Sequence, residues 1–375
     1  MRAKDACSKA PQFFPRFLRP RIRRNLLRWF DRHQRNLPWR RDRDPYHIWV
    51  SEVMLQQTQV ATVVRYYEPF LRAFPSIQVL AAAPKQKILC HWEGMGYYAR
   101  AGNLHRAARK LATDHGGGIP NDVDVFGSLP GVGRYVLGAV LSQAFNRRLP
   151  IVEANSRRVL LRLLGQKPHL AATGNGALWQ AAEVLLPHRR VGDFNQALME
   201  LGALICKPTD PRCDACPLTE CCEARRLGLQ EVIPGKSPAP PAKLIQEVGV
   251  VVRKENRILL VQRPNRGRWA GMWEFPHDQI RARESLDSAG RRITREMLAL
   301  KVRFGSELLT IKHSVTQNRI TLVCLEAEYR AGKFHSEFYQ NGRWLYPNKL
   351  NDFPVSAPQR KLARLLIGAR QRTLF

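Results

Sequence analysis

Four cysteines, Cys206, Cys213, Cys216 and Cys222, stand in the spacing C-x6-C-x2-C-x5-C, and no other feature of the chain restricts its local fold so strongly. Thiols crowded into so short a segment converge on one inorganic centre, which ties down the loop that carries them. Five of the eight cysteines fall within residues 206–222 while Cys7, Cys90 and Cys324 are scattered, which is clustering of the metal-site kind and not a secreted disulfide framework. Such thiolates hold either a cubane iron–sulfur cluster or a zinc ion. Only one C-x2-C knuckle is present, which favours iron–sulfur, because four-cysteine zinc sites more often show two. Cys221, beside Cys222, is an alternative fourth ligand on spacing alone. Lys207 to Arg212, between the first two ligands, carry a cation at each end and two prolines, a stiff loop that offers positive charge to phosphates.

At 375 residues the chain exceeds what one hydrophobic core usually organises, so two domains are expected. Lys and Arg number 61 against 31 Asp and Glu, a formal charge of +30 that implies a polyanionic partner, with nucleic acid the leading choice. No stretch approaches the roughly 20 apolar residues of a membrane span, and the start lacks the apolar core of a secretory signal. The protein is therefore expected inside the cell, in cytoplasm or nucleoid if bacterial, and away from membranes. Residues 1–24 hold eight Lys or Arg and one acid, Asp5, and read as a disordered basic tail.

Apolar residues recur at three- and four-residue spacing in 21–30, 49–73, 100–112, 134–145, 155–164 and 190–205, the pattern of amphipathic helices, and no period-two run interrupts them. Residues 234–243, rich in Pro, read as a linker. Beyond it, Val248–Arg253, Arg257–Gln262, Lys301–His313 and Arg319–Glu328 are β-branched and apolar at strand length, with helices predicted at 283–299 and 357–370. The predicted organisation is a basic tail over 1–24, a mainly α domain over 25–225, a linker over 226–243 and an α+β domain over 244–375.

Leu129-Pro130-Gly131-Val132-Gly133-Arg134 lies between two predicted helices, and glycines at that spacing allow a tight turn whose backbone N–H groups face outward toward phosphate. This hairpin followed by the four-cysteine loop resembles the endonuclease III superfamily of helix-hairpin-helix glycosylases. Three stretches point to its adenine-specific MutY branch: Leu37-Pro-Trp-Arg40, Trp49-Val-Ser-Glu-Val-Met-Leu-Gln-Gln-Thr-Gln59 and Gly94-Met-Gly-Tyr-Tyr-Ala-Arg100. The likeness is strong over about 25–225 and weak over 244–370.

The resemblance implies a helix-hairpin-helix glycosylase domain that excises adenine mispaired with 8-oxoguanine or guanine in duplex DNA, acting as a monomer and holding one [4Fe-4S] cluster on Cys206, Cys213, Cys216 and Cys222. Cleaving an N-glycosidic bond needs a proton for the departing base and negative charge near an oxocarbenium-like sugar, so two carboxylates are the expected minimum. Glu52, at the start of an apolar helix with Val53, Met54 and Leu55, is expected to stay protonated and to serve adenine N7. The second carboxylate departs from the pattern: the family's Asp-Gly-Asn is here Glu153-Ala154-Asn155, one methylene longer. Asn155 would support that site, and it also reads as the N-cap of a helix beginning near Ser156. Tyr135 stands where lyase-competent relatives carry a Schiff-base lysine, which implies a monofunctional enzyme.

By the same resemblance Trp39, Arg40, Leu55 and Gln196 line the base pocket. Gln57, Thr58, Met95, Tyr97 and the hairpin residues Gly131, Val132, Gly133 and Arg134 face DNA, with Gln57 and Tyr97 as wedges that fill the gap left by a flipped nucleotide. Gln262-Arg-Pro and Gly271-Met-Trp-Glu-Phe-Pro276 resemble the MutT/Nudix-like domain with which this branch recognises 8-oxoguanine, and His313, Thr316 and Gln317 align with its recognition loop. Arg295-Glu-Met-Leu-Ala-Leu300 lacks the paired glutamates of a Mg²⁺-binding pyrophosphatase helix, so nucleotide hydrolysis is not expected. Two other readings remain open: a pyrimidine or mismatch glycosylase of the endonuclease III kind, and a catalytically weak damage-binding protein, the latter motivated by Glu153 and the altered loop.

Overall fold

A computed structural model describes residues 13–166, 176–235 and 241–371. By contact the chain forms two compact units, residues 1–57 with 110–237 and residues 58–109 with 238–375, so the helical run expected as one domain over 25–225 contributes to both. Among the described residues no helix is long and apolar enough to cross a membrane.

The first unit is built from α1 (Leu18–His33), α2 (Pro45–Leu55), the end of the helix Ala99–Asp114, α7 (Val123–Gly127), α8 (Arg134–Phe145), α9 (Ala154–Leu163), α10 (Gly176–Leu185), α11 (Val191–Leu204) and α12 (Glu223–Arg226). The start of α2 is written into the sequence: Asp44 accepts hydrogen bonds from the backbone N–H groups of Tyr46 and His47, and Pro45 takes the first helical position, where no N–H is needed. Ile22, Leu26, Trp29 and Phe30 of α1 meet Val159 and Leu160 of α9 and Phe194, Leu198 and Leu201 of α11 in a closed core, each such side chain worth about 1.5–3 kcal/mol of burial. Ile233, inside the expected linker, belongs to this core as well. Two glycines let α8 sit close to its neighbours. A Cβ on Gly138 would lie 2.4 Å from the Pro150 carbonyl oxygen, and one on Gly192 would lie 2.6 Å from both the Ser142 carbonyl and the Gln143 Cα.

The second unit combines α3 (Val60–Ala73), α4 (Ile77–Ala82), α5 (Lys85–Trp92) and most of α6 (Ala99–Asp114) with a mixed seven-stranded sheet. The strands are β1 (Lys243–Lys254), β2 (Arg257–Gln262), β3 (Trp273–Glu274), β4 (His277–Gln279), β5 (Leu300–Val315), β6 (Asn318–Gly332) and β7 (Asn341–Leu345). Their order is β3-β2-β1-β6-β5, with β1 parallel to β6, β4 added to β1 and β7 to β2. Both faces are covered, which is why β1 and β2 read as continuous apolar runs and not as an alternation. Val248, Val250 and Val252 pack with Ala289 of α13 (Leu286–Arg292), whereas Val251, Ile258 and Leu260 pack with Leu362 and Leu366 of α14 (Ala357–Gln371). Glu93, after α5, receives Arg360 Nε at 2.6 Å and Nη2 at 2.8 Å, and the Val355 amide donates to it at 3.1 Å. That bidentate pair ties the α3–α6 segment to the sheet's C-terminal helix.

Several expectations are corrected. The basic run taken as a tail is helical from Leu18 on, and residues 1–12 lie outside the described residues. The run 49–73 is two helices, because the chain breaks after Leu55 and Gln57 adopts a positive φ of 55°. The predicted helix over 283–299 is shorter: α13 passes into a π-helical turn, Ile293–Met297. Substituting Gly192 by Ala is expected to lower stability by about 1–3 kcal/mol through overpacking of α11 on α8, read from the denaturant midpoint; an unchanged midpoint would contradict the close approach.

Candidate active site

Glu52 does not open an apolar helix as expected but lies in its final turns, with Val50, Ser51, Val53 and Met54 buried around it. It is 3 % exposed, and both carboxylate oxygens have donors: the Tyr135 hydroxyl donates to Oε2 at 2.6 Å, and the Gln143 side-chain amide donates to Oε1 at 2.8 Å. Burial pushes the Glu52 carboxyl above its ordinary value, opposed by the hydrogen bonds from Tyr135 and Gln143, reinforced by the nearby charge of Glu153 and offset in part by Arg40. A carboxyl whose value is raised by burial is held toward the protonated form, the form that can give a proton away. The Tyr135 phenol is held well above its usual range by burial and by Glu52, so it remains a neutral donor.

Tyr135 and Gln143 stand two turns apart on α8, whose start follows the glycine hairpin. Gly131 has φ 82°, Leu129 and Val132 plug the turn into the core, and Gly131, Gly133 and Arg134 are exposed. Gly133 caps α8 with no side chain of its own, which leaves the first N–H groups of the helix as anion donors. The Arg134 guanidinium lies 4.1 Å from the Trp179 ring centroid.

Glu153 stands at the N-cap of α9 and closes a capping box. Its Oε1 accepts from the Ser156 N–H at 2.8 Å, its Oε2 from the Asn155 N–H at 2.9 Å, and the Ser156 hydroxyl receives the Glu153 N–H at 2.9 Å. The cap is therefore Glu153, and Asn155 sits inside the first turn, not before it. Asn155 Oδ1 accepts from Arg158 Nη2 at 2.9 Å, and Arg158 Nε donates to the Cys206 carbonyl at 2.7 Å, so this corner and the cysteine loop share one arginine.

A cavity of about 230 Å³ is lined by Phe30, Trp39, Arg40, Gln143, Arg190 and Gln196, among others. Three of the four residues expected to hold the base are here; Leu55, half-buried as the last residue of α2, is not among the lining residues. Arg40 Nε donates to Gln196 Oε1 at 3.0 Å, which leaves the Gln196 amino group as the end it can offer a ligand. Arg40 is itself fixed by Glu200, which accepts from Arg40 Nη2 at 3.0 Å and from Arg35 Nη2 at 2.8 Å. Burial pushes the Glu200 carboxyl up, but hydrogen bonds from Arg35 and Arg40 outweigh it and hold it at about 2. Neither Gln143 nor Glu200 was singled out from sequence: each is a polar residue inside an apolar helical run, and only the partner it meets from another helix distinguishes it.

The remaining expected DNA residues divide. Gln57 is exposed at positive φ, and Tyr97, 52 % exposed with φ 49°, follows Gly94 and Gly96 at positive φ. Met95 is 6 % exposed, so its side chain is core and presents no face to a duplex. Thr58 Oγ1 accepts from Arg100 Nη2 at 2.9 Å, an internal support for the Tyr97 turn. In the sheet, Thr316 and Gln317 form the tip joining β5 to β6, with Thr316 at φ 55°, an uncommon conformation for a β-branched residue. The His313 ring instead lies against Trp269, centroids 6.5 Å apart, with its nitrogens buried, a correction to the expectation that it meets DNA.

Cys206, Cys213, Cys216 and Cys222 line one small cavity with Arg162, Arg212 and Arg225, while Cys221 belongs to the hydrophobic core. Arg162, itself buried, donates from Nη1 to Cys206 Sγ at 3.3 Å and from Nε to the Ile233 carbonyl at 2.6 Å. Among the described residues no three His, Cys, Asp or Glu side chains are close enough together for a single metal ion.

Residues 50–175 match the HhH-GPD superfamily of base excision DNA repair proteins, and residues 247–365 match the NUDIX domain. Together with the hairpin and the buried acid, this defines a DNA N-glycosylase of base excision repair carrying a Nudix-like domain. The adenine DNA glycosylase of Homo sapiens is 34% identical over 415 residues, which cover 94% of this chain and 75% of the human protein. That of Rattus norvegicus is 33% identical over 419 residues, covering 94% and 79%. Among solved structures, a thermostable thymine-DNA glycosylase superposes with a TM-score of 0.52 at 32% identity, over 56% of this chain and 97% of that one. The chain belongs to the adenine DNA glycosylase family.

Replacing Glu200 by Gln strands two arginines at the cavity wall and is expected to cost about 3 kcal/mol near neutral pH. Because the Glu200 carboxyl is depressed to about 2, its contribution is complete above the unfolded value near 4.5 and disappears as pH falls toward 2. Urea melts of the wild type and of Glu200→Gln should therefore converge over that acid window; a constant difference through it would contradict the pairing.

Proposed function

We propose that this chain removes adenine mispaired with 8-oxoguanine or guanine in duplex DNA, by acid-assisted hydrolysis of the N-glycosidic bond. The observation that carries the reading is Glu52: a buried carboxyl held above its ordinary value, bonded at both oxygens, on the same helical unit as a cavity whose walls include an indole and a side-chain amide. The adenine named for the relatives fits that cavity's chemistry, a flat ring against Trp39 with the Gln196 amino group toward a ring nitrogen.

With the nucleotide flipped out of the stack, Glu52 gives its proton to adenine N7, and the base leaves as a neutral molecule. The sugar becomes oxocarbenium-like, and the Glu153 carboxylate supplies the opposing charge from its seat at the start of α9. Asn155 and Tyr135 support the two acids. Water completes the substitution, and a phenol at position 135 forms no imine, so the product is an abasic site with an intact strand. The exposed hairpin and the N-terminus of α8 hold phosphate, while Gln57 and Tyr97 enter the stack. Residues 25–225 carry this chemistry, and residues 244–375 read the opposite base, with Thr316 and Gln317 at a strained hairpin tip as the contact.

The four cysteines are the ligands of one [4Fe-4S] cluster. Four thiols around one cavity, with a guanidinium donating to one sulfur, fit a polynuclear centre. When bound, the cluster supplies a structural fastening for the 206–222 loop. Arg162, Arg212 and Arg225 balance its thiolates.

A second reading, a mismatch glycosylase acting on a pyrimidine, draws on the likeness to a thymine-DNA glycosylase. One panel separates the two. The wild type should release adenine from 8-oxoguanine:adenine duplex with strand scission only after alkali, and Glu52→Gln should lose at least about 100-fold. Preferred release from thymine mispairs would overturn the adenine reading. Glu153→Gln should lose about 100-fold, whereas Glu153→Asp, which keeps both charge and cap, should stay within about tenfold of wild type. Purified protein should show the broad visible absorbance of an iron–sulfur cluster, lost in Cys206→Ser; a colourless protein with stoichiometric zinc would contradict the cluster.

A further inference from the structure

We infer that Gln143 is a positioning residue of the glycosylase reaction, whose amide fixes the orientation of the Glu52 carboxyl that delivers a proton to the base. The inference rests on Glu52 as the general acid. Gln143 is 7 % exposed in the last turn of α8, where Val136, Ala139, Val140 and Leu141 are all buried and an aliphatic side chain would be unremarkable. A buried amide there needs partners, and its Nε2 finds Glu52 Oε1 at 2.8 Å. Its backbone is held close to α11 by the approach of Gly192, so the amide has little freedom to retreat.

An amide nitrogen offers hydrogens and no lone pair, so Glu52 Oε1 accepts from Gln143 at 2.8 Å. The Tyr135 hydroxyl lies 2.6 Å from Oε2 and 3.3 Å from Met199 Sδ, so the two carboxyl oxygens are held from two sides and the plane of the group is fixed. Gln143 also lines the cavity shared by Trp39, Arg40 and Gln196, so one side chain touches both the acid and the space a base would fill. Without the amide, Oε1 loses its donor and the carboxyl is free to turn.

The groups that act on Glu52 are Tyr135 and Gln143 from α8, Glu153 at the head of α9 and Arg40 from the short turn Pro38–Arg40. Gln143 is one of the two hydrogen-bond donors that oppose the effect of burial. Removing it lets the Glu52 value rise. For a general acid, activity falls as pH climbs through that value, so the alkaline limb of the rate profile should move to higher pH.

The test is single-turnover adenine release from 8-oxoguanine:adenine duplex with saturating enzyme between pH 5 and about 10. Gln143→Met keeps length and bulk without the donor. It should lower the plateau rate about tenfold and move the alkaline limb up by about one pH unit, with duplex affinity near wild type and a melting temperature lowered by a few degrees but a folded protein at the assay temperature. Gln143→Glu regains a donor only when its new carboxyl is protonated, so its rate should approach wild type at the acid end and fall away at lower pH than in Gln143→Met. If Gln143→Met does not fold, the Gln143→Glu profile decides alone. Both limbs unmoved, with Glu52→Gln inactive, would overturn the role of Gln143 and leave Glu52 as the acid. A fully active Glu52→Gln would overturn both.

Discussion

The structure turns on one carboxyl group that is taken out of water and then provided with two neutral donors. Glu52 alone in an apolar helix would be an unsatisfied buried acid, costly to fold around. With Tyr135 on one oxygen and Gln143 on the other, the group is accommodated by two neutral donors, and burial shifts its value upward. The contrast with Glu200 in the same unit is instructive. There two arginines reach a carboxyl that is just as buried, and the group is ionised and structural. Two glutamates with similar exposure thus have their values shifted in opposite directions by the groups they meet.

The surrounding helices exist to hold that geometry. Gly138 and Gly192 bring α8 against the Pro150 turn and α11, which fixes the spacing between Tyr135 and Gln143 relative to α2. Arg158 connects Asn155 to the Cys206 carbonyl, and Arg162 connects the Cys206 sulfur to Ile233. Loss of order in the cysteine loop would therefore be felt at the start of α9, where Glu153 sits.

Residue type and motif single out Glu52, Tyr135, the cysteine spacing and the Gly-x-Gly hairpin in the sequence, and the fold brings Glu52 and Tyr135 into hydrogen-bond contact. Family resemblance adds Trp39, Arg40 and Gln196, and the structure brings these three to one cavity. Met95 is buried and the His313 ring lies against Trp269, placements that adjacency in a motif does not reveal. The cap at Glu153 was assigned to Asn155 since an Asn before a helical run is the stronger local signal, and only the folded chain shows the longer carboxylate reaching both N–H groups. Periodicity identified α3 and α6 as helical but could not say that residues 58–109 would group with the sheet; the Glu93–Arg360 pair that joins them spans most of the chain. The two- to five-residue strands β3, β4 and β7 are too short to leave a periodic trace.

The central claim is that Glu52 is a neutral acid at the pH where the enzyme works. Selective ¹³C labelling of glutamate carboxyls, with the Glu52 resonance assigned by its loss in Glu52→Gln, measures this directly. A neutral acid requires a titration midpoint raised above the ordinary 4.5. A midpoint at or below that value, in folded protein with its cysteine loop intact, would contradict the claim.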